Sequence, residues 1–330
     1  MYHLNGIHLR RWWIPLASAS LFFLVIAFLI PYASSLYEVK KSLAGLIYAL
    51  ASFGNTAEKD AALDFTYCLF VPIIAAYLVY LRRKELERAP IRQNNLSVGL
   101  IILGILFYWF GMRAGNQYFG YAAVQILLAG VVLWLWGGAV FRILLFPWAF
   151  LMFTWPLPFL DPIIAFPLRM DMSTLASHIL PLIGIPCVQS GTALLSAPDV
   201  LHDLPLGARF QIDIADPCSG IRSLFALLMF SALFGYLFVP RLWQQWVIFL
   251  SAIPLAILGN LARVIMLVLG SIFFGSAFAI GTTEHPSWFH EACGFLIYAV
   301  ALGMEFLLAA LLTRKWHRPT DIPDAEQASA

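Results

Sequence analysis

Three short stretches of the sequence place a thiol, a guanidinium and an imidazole inside otherwise apolar segments. "PCSGIRSL" contains Cys218, "NLARVIML" contains Arg263 and "WFHEACGF" contains His290. A thiolate is a nucleophile, an imidazole with a pKa of about 6.5 exchanges protons near neutrality, and an arginine donates hydrogen bonds while it keeps its charge. These residue types fit a cysteine-based acyl transfer in which Cys218 attacks, His290 moves protons and Arg263 stabilises the oxyanion or the thiolate.

Two further polar residues are close to these three in the sequence. Arg222 follows Cys218 by about one helical turn, and Asn260 precedes Arg263 by a similar spacing, so Asn260 can orient that arginine. An intramembrane charge costs about 2.5–3.5 kcal/mol on insertion scales, which makes a functional role the default for Arg263.

Structural roles are the alternatives for the same residues. Cys218 can be a packing residue, and the two arginines can form ion pairs with nearby acids, of which the sequence offers Asp216, Glu284 and Glu291. His290 can be an interfacial histidine, because the same side carries other bases, namely His178, His202 and His285. Glu305 can belong to a proton path, but a buried polar contact is the favoured interpretation.

The composition shows which elements must carry these residues. Of the 330 residues 61% are hydrophobic and 12% are charged, whereas soluble domains have about 25% charged residues. We therefore predict an all-α polytopic membrane protein with about eight transmembrane helices. The apolar runs that approach or exceed the roughly 18 residues of a span are 12–32, 62–81, 96–114, 119–137, 139–158, 218–239, 246–270 and 289–313.

The charged residues of the loops predict the orientation. With the N-terminus inside, 12 Lys and Arg residues fall in cytoplasmic segments and 6 on the other side. Both termini are then cytoplasmic, and Cys218 and His290 begin helices at the outer surface. Helix seven is expected to end near Gly270, which puts Arg263 roughly 10 Å below that surface at 1.5 Å per residue.

The segment between helices five and six predicts a small extracytoplasmic cap. Residues 155–186 mix prolines with an amphipathic stretch, and "ARFQIDIADPCSG" alternates apolar and polar residues as a strand does. We predict an amphipathic helix and a short β-hairpin, with Pro217 starting helix six. Residues 42–53 are too short to span and are predicted to form an interfacial or loop helix. The first apolar run exceeds the core of a signal peptide, which favours an anchor.

The predicted organisation has three parts. They are an N-terminal transmembrane region of helices one to four (1–138), a catalytic core of helices five to eight with the cap at 159–217 (139–313), and a cytoplasmic tail (314–330).

The cysteines give no indication of a metal site. The four of them have no CxxC and no metal-ligand spacing, and the sequence indicates neither a metal nor an organic cofactor. Cys68, in mid-helix, is expected to be a small buried hydrophobe. A disulfide of Cys187 with Cys218 or Cys293 is one alternative, and an unpaired Cys218 is the other. The net charge of +2, with scattered basic residues, offers no nucleic-acid footprint.

The three stretches, in order on successive apolar segments, resemble the exosortase and archaeosortase family. The pattern is Cys-Ser-Gly, then Asn-x-x-Arg with Val or Ile, then a His a few residues ahead of a Gly, over about residues 140–313. The resemblance implies a nucleophile at Cys218, a stabiliser at Arg263 and an acid/base at His290. It implies supporting roles for Ser219, Gly220, Arg222 and Asn260. Asp216-Pro217 departs from the Glu-Ala of many members, which leaves the role of the preceding acid open.

The resemblance also implies a function. We expect a membrane-embedded cysteine peptidase or transpeptidase of the bacterial inner membrane, with its active site facing the periplasm. It would cleave exported proteins at a C-terminal signal made of a short motif such as Pro-Glu-Pro, a transmembrane helix and a basic tail. A thioester at Cys218 would pass the acyl group to an acceptor amine or water, and membrane lipid would be the second partner.

Other classes of protein stay open on the residues alone. A transporter or a lipid-linked sugar ligase would bind an anionic group with Arg222, Arg263 and His290, and Cys218 would be incidental. An inactive scaffold is the third interpretation.

Overall fold

The computed structural model describes most of the chain from residue 67 to residue 314 and a few residues before it. The described residues are 28–29, 31–33, 40–45, 47, 67–92, 95–155, 163–164, 166–214, 220–281 and 287–314. The chain divides into two compact units, residues 1–158 and 159–330.

The described part of the first unit contains apolar helices, one short charged helix and one small antiparallel ladder. Strands β1 (Pro31–Ala33) and β2 (Lys40–Ser42) pair with each other. The helices that follow are α1 (Val71–Leu81), α2 (Arg83–Arg88), α3 (Leu96–Ala114), α4 (Gln117–Leu135) and α5 (Gly138–Phe150), the last of which continues as a 3-10 turn over Leu151–Thr154.

Helices α3 and α4 form a hairpin because the residues at and near the turn suit it. Gly115 ends α3 in the left-handed region with φ +63°, which glycine adopts without strain. Asn116 then caps α4 by accepting a hydrogen bond from the backbone N–H of Tyr118 at 2.9 Å. Gly104 lets the two helices approach, since a Cβ there would lie 2.6 Å from Cγ of Leu127.

The second unit begins with the predicted cap. Helix α6 (Phe166–Leu182) precedes a three-stranded antiparallel sheet of β3 (Cys187–Ser190), β4 (Ala193–Ser196) and β5 (Gln211–Asp213), with β4 in the middle. The amphipathic helix was predicted, and so was a strand in residues 210–215, where β5 lies. The prediction of one short hairpin was incomplete, because the strand pattern does not identify its partners β4 and β3, and the pairing of Leu194 with Ile212 is a tertiary contact.

Three apolar helices complete the second unit. They are α7 (Gly220–Phe238), α8 (Leu242–Phe274) and α10 (Trp288–Arg314), with the short α9 (Ser276–Ala279) between the last two. Since α7 and α10 each run antiparallel to α8, they run parallel to each other. One core cluster joins the cap to this group, with Ala176, Leu194 and Ile212 of the cap packed with Val264 of α8 and Cys293 of α10.

Four of the described helices are long and apolar enough to cross a membrane, namely α3, α4, α8 and α10, and α1, α5 and α7 contain shorter apolar segments. A mostly helical membrane protein is therefore confirmed. The number eight stays a prediction, because most of the run 12–32 lies outside the described residues, and its last two residues belong to β1 rather than to a helix. Of the helix predicted at 42–53, residues 43–45 and 47 are helical, and Ser42 ends β2.

Helix α8 is longer than predicted, which changes the position of Arg263. The helix continues past Gly270 to Phe274 and ends at Gly275, where φ is +89°. Arg263 is therefore about 16 Å from the C-terminal end of the helix, whereas a helix that ended near Gly270 would put it roughly 10 Å from that end. The 33 residues of α8 span about 50 Å, more than the hydrocarbon layer of about 30 Å, and the stretch near its C-terminal end packs against the cap.

Candidate active site

The guanidinium of Arg263 lies against the backbone of α10. The residue opposite is Gly294, where a Cβ would lie 3.3 Å from Nη2 of Arg263 and 3.4 Å from its Cζ. Nη2 also donates a hydrogen bond to the carbonyl oxygen of His290 at 3.5 Å. The glycine of the His-x-x-x-Gly stretch thus leaves room for the arginine, and the arginine links α8 to the first turns of α10.

The positive charge of Arg263 has no carboxylate partner among the described residues. Its Nε is buried without a hydrogen-bond acceptor there, and Glu291, one of the acids suggested by the sequence, is exposed on α10. Asp216 and Glu284 lie outside the described residues. An arginine in this state stabilises a negative charge that develops beside it, which is the property required of an oxyanion or thiolate stabiliser.

His290 lies in the first turn of α10 and is held there by a helix cap. Ser287 precedes the helix, and its Oγ accepts a hydrogen bond from the backbone N–H of His290 at 3.1 Å. The His290 side chain is buried, with 2% of its surface exposed, and it contacts the backbone of Ile280. The charge of Arg263 acts on this imidazole electrostatically. Arg263 and His290 therefore share one site, in which the guanidinium contacts the main-chain carbonyl group of the histidine.

The chain between α8 and α10 forms a tight corner that fixes this arrangement. Ser287 donates from Oγ to the carbonyl oxygen of Ala279 at 2.9 Å, and its N–H donates to that of Ile280 at 3.1 Å. Between this corner and Arg263, a Cβ on Gly270 of α8 would lie 2.6 Å from the ring of Phe289 of α10. The two helices therefore pack closely in the region between the corner and Arg263.

A small cleft of about 20 Å³, enough for about one water molecule, lies between α7, α8 and α10 beside Arg263. Its polar lining comes from Asn260, Arg263 and Tyr298, and the imidazole of His290 is not part of the lining. The remaining lining is apolar or glycine, from Leu227, Leu255, Ala256, Gly294, Ile297 and Ala301. Asn260 is thus in the cleft with Arg263, one helical turn away, as its spacing suggested.

Tyr298 is a cleft residue that the sequence analysis missed. The sequence does contain an indication of this position. Tyr298 follows Gly294 by four residues and His290 by eight, and this spacing keeps all three on one side of a helix. A tyrosine among so many aromatic residues does not stand out until the neighbouring helix is known.

The proposed nucleophile is not among the described residues. Cys218 and Ser219 lie outside them, whereas Gly220 and Arg222 belong to the first turn of α7. Among the described cysteines, Cys293 is 5% exposed, belongs to the core cluster and lies within electrostatic reach of Arg263.

The other described cysteines have ordinary structural environments. Cys187, Cys293 and Cys68 are free thiols, so the suggested Cys187–Cys293 disulfide is not formed. Burial raises the pKa of the Cys187 thiol, which makes it a poor nucleophile. Cys68 is fully buried, as its mid-helix position predicted.

Two of the competing histidines lie on the exposed surface of the cap. His178 contacts the carbonyl oxygen of Thr174 through Nδ1 at 2.7 Å, and His202 contacts Asp199 at 2.7 Å. Neither residue lines the cleft. His285 lies outside the described residues, so within the described part His290 is the histidine that shares a site with Arg263. No group of three potential metal ligands occurs among the described residues.

A comparison with known families decides the assignment. A sequence profile described as transmembrane exosortase matches residues 60–307. The chain belongs to the transmembrane exosortase family. No curated protein and no solved structure matched the chain. The exosortase match runs from before α1 into α10 and includes part of each unit, so on the N-terminal side it extends well beyond the region of about 140–313 in which the sequence motifs lie. Family membership indicates a membrane sorting enzyme that acts on exported proteins with C-terminal sorting signals.

Proposed function

We propose that the chain is a cysteine transpeptidase that cleaves a C-terminal sorting signal and passes the exported protein to an acceptor. The observation that carries this proposal is the guanidinium of Arg263, which contacts His290, lines a cleft and lacks a carboxylate partner among the described residues. A guanidinium in this position can stabilise a transient anion by donating hydrogen bonds and by its positive charge. Cys218, two residues before α7 begins, supplies the nucleophile.

The proposed reaction proceeds in two halves. His290 takes the proton of the Cys218 thiol, and Sγ attacks the carbonyl carbon of the scissile peptide bond. Arg263 donates hydrogen bonds to the resulting oxyanion. The C–N bond then breaks, the leaving amine takes the proton from His290, and a thioester remains. An acceptor amine or water attacks the thioester, gives a proton back through His290 and releases the Cys218 thiol.

The proposed setting is the bacterial inner membrane, with Cys218 and His290 on the periplasmic side and both termini in the cytoplasm. The loop charges support this orientation. The substrate is an exported protein that ends in a short motif, a transmembrane helix and a basic tail.

The test is processing of a co-expressed protein that bears such a C-terminal signal. We expect Cys218→Ala to yield no processed product, whereas Cys293→Ala and Cys68→Ala should process the substrate nearly as well as the wild type. Cys293→Ala is the matched control, because Cys293 is the described thiol that Arg263 influences. Release of a trapped acyl-enzyme by hydroxylamine should depend on Cys218. Normal processing by Cys218→Ala, at a wild-type membrane level, would overturn the proposal.

A second function is favoured by the same guanidinium, which has no carboxylate partner in the described part of the chain. A transporter or lipid-linked sugar ligase that binds an anionic group would also use Arg263 in the cleft. Such a protein should keep its activity in Cys218→Ser, since the hydroxyl preserves the size of the side chain, whereas a thiol transpeptidase should lose it.

A further inference from the structure

Ser231 of α7 and Glu305 of α10 form a polar contact inside the apolar helix group. Both residues are fully buried, and Oγ of Ser231 is hydrogen-bonded to Oε1 of Glu305 and also lies 2.6 Å from the carbonyl oxygen of Leu227, one turn earlier in α7. The other carboxyl oxygen, Oε2, is buried and has no hydrogen-bond partner among the described residues. This carboxyl group is unfavourable in an apolar layer, so packing alone does not account for it.

The surroundings of this pair are otherwise apolar. Phe230 and Phe234 of α7 pack against Phe306 of α10, the second with 4.5 Å between ring centroids. No basic residue pairs with Glu305 in the described part of the chain. Interhelical hydrogen bonds are a recognised means of specifying how membrane helices associate, and single buried polar residues fix the register of coiled coils.

The register set by this contact can be read from the residue numbers. Ser231 and Glu305 are 74 positions apart in the chain. Leu227 and Ala301, which lie one turn nearer the outer end and both line the cleft, have the same separation. Because α7 and α10 run parallel, two more turns in the same direction bring Gly220 level with Gly294, the residue against which Arg263 lies. Cys218 precedes Gly220 by two residues in the sequence.

We infer that the Ser231–Glu305 hydrogen bond is a positioning device that sets the axial register of α7 on α10 and so holds the start of α7, the helix that Cys218 precedes in the sequence, level with Gly294 and the guanidinium of Arg263. This inference rests on the proposed cysteine chemistry. Glu305 is a positioning residue, since it is about 22 Å along α10 from His290 and does not exchange protons with it directly. The device acts at a distance because two packed helices move along each other as rigid bodies.

The first test measures the register itself. Leu227→Cys and Ala301→Cys are introduced together in a chain whose four native cysteines are replaced by alanine, and disulfide formation is followed in membranes. We expect cross-linking with Glu305 present and a several-fold lower yield in Ser231→Ala or Glu305→Leu. Gln244→Leu is the matched control. This variant removes another buried hydrogen bond, which Nε2 of Gln244 donates to the carbonyl oxygen of Leu312. That bond links α8 to α10 and does not involve α7.

The second test measures processing with the native cysteines in place. We expect Ser231→Ala and Glu305→Leu to lower the rate of substrate cleavage about 10-fold to 100-fold, because displacement of a nucleophile by about 1 Å has effects of that size. Co-purification of the substrate should be unchanged. Glu305→Gln, whose amide oxygen still accepts from Ser231, should restore most of the rate, and the double variant Ser231→Ala/Glu305→Leu should be little worse than either single one.

The outcomes separate this inference from the proposed function. If Cys218→Ala processes substrate normally, the cysteine chemistry is wrong whatever the register. If Cys218 is required but Ser231→Ala and Glu305→Leu show wild-type processing and wild-type cross-linking, the positioning inference is wrong and the contact has only a packing role. Should Glu305→Leu fail to reach the membrane, Ser231→Ala, which removes only one oxygen, decides the question.

Discussion

At the scale of single residues, the site depends on how little space separates Arg263 from α10. Glycine at position 294 is what allows the guanidinium to lie on the helix backbone, at 3.3 Å from where a Cβ would be. A contact this close is tighter than ordinary van der Waals packing, so any side chain here must displace the arginine. Gly294 therefore contributes to the site because it has no side chain and leaves space for the guanidinium of Arg263.

The substitution Gly294→Ala should displace the guanidinium by a few tenths of an ångström and lower the cleavage rate about 10-fold with little change in the amount of folded protein. Gly303→Ala is the matched control on the same helix, because a Cβ at Gly303 meets no atom within 4 Å. Alanine also favours the helix more than glycine does, so Gly303→Ala should be at least as stable as the wild type. Equal processing by both variants would show that the close approach has no role.

Replacement of Arg263 itself tests whether geometry or charge matters. Arg263→Ala should lower the cleavage rate by about 100-fold to 1,000-fold, the range found when one oxyanion donor is removed. Arg263→Lys keeps the charge but loses the planar donor group, and we expect it to be nearly as impaired. Rates are compared at equal membrane levels by blotting, and a fully active Arg263→Lys would indicate that Arg263 acts only as a point charge.

The sequence pointed to Asn260, Arg263 and His290, which the structure places close together, but not to Tyr298 or to the space that Gly294 leaves. Cys218, Arg263 and His290 are visible because ionisable or reactive residues are rare in apolar segments. The roles of Gly294 and Tyr298 depend on which faces of α8 and α10 meet, and the spacing of apolar residues does not specify this when a helix is apolar on nearly every side.

At the scale of elements, the cap contains a loop tied to one carboxylate. Asp199 accepts hydrogen bonds from the backbone N–H groups of Leu201 and His202 at 3.0 and 3.3 Å and from Nδ1 of His202, and it also pairs with Arg209. The hydrogen bond from His202 is the main cause of a lowered pKa of Asp199. The loop that follows β4 is thus held by a group that must be ionised.

This loop should loosen at low pH. A carboxyl group whose pKa is lowered on folding contributes stability above its unfolded pKa of about 4, and that contribution is lost as the pH falls through the lowered value. We expect the protection factor of the Leu204 amide, which donates to the carbonyl oxygen of Asp199 at 3.0 Å, to decline below about pH 4. Asp199→Asn should lower it at neutral pH as well, whereas Asp171→Asn on the exposed face of α6 should not. Hydrogen exchange with mass spectrometry measures both.

Helix positions were predicted more accurately than helix ends. The run 96–114 coincides with α3, since Gly115 and Asn116 mark its end in the sequence. The run 246–270 fell short of α8 at both ends, because Trp243 and Phe273 continue the apolar surface beyond the length needed to span a bilayer. The predicted ends assume the number of residues needed to cross a bilayer. The C-terminal part of α8 continues beyond that length and packs against the cap.

At the scale of the whole molecule, the second unit joins membrane helices to a partly polar cap through one core. The outward surface of α6 carries Asp171, Thr174 and His178, all exposed, whereas its opposite side packs against α8 near Val264. A surface of this polarity is suited to water.

The orientation of the whole chain can be tested with a membrane-impermeant thiol reagent on intact spheroplasts. A variant that keeps only Cys218 should be labelled, because the charges of the loops favour an external position for the start of α7. A variant that keeps only Cys293 should stay unlabelled even after permeabilisation, since that thiol is 5% exposed and lies in the core. Lys84→Cys without native cysteines, exposed on α2 in a predicted cytoplasmic segment, should react only after permeabilisation. The reverse pattern for Cys218 and Lys84→Cys would mean that the site faces the cytoplasm, and a periplasmic sorting reaction would then be impossible.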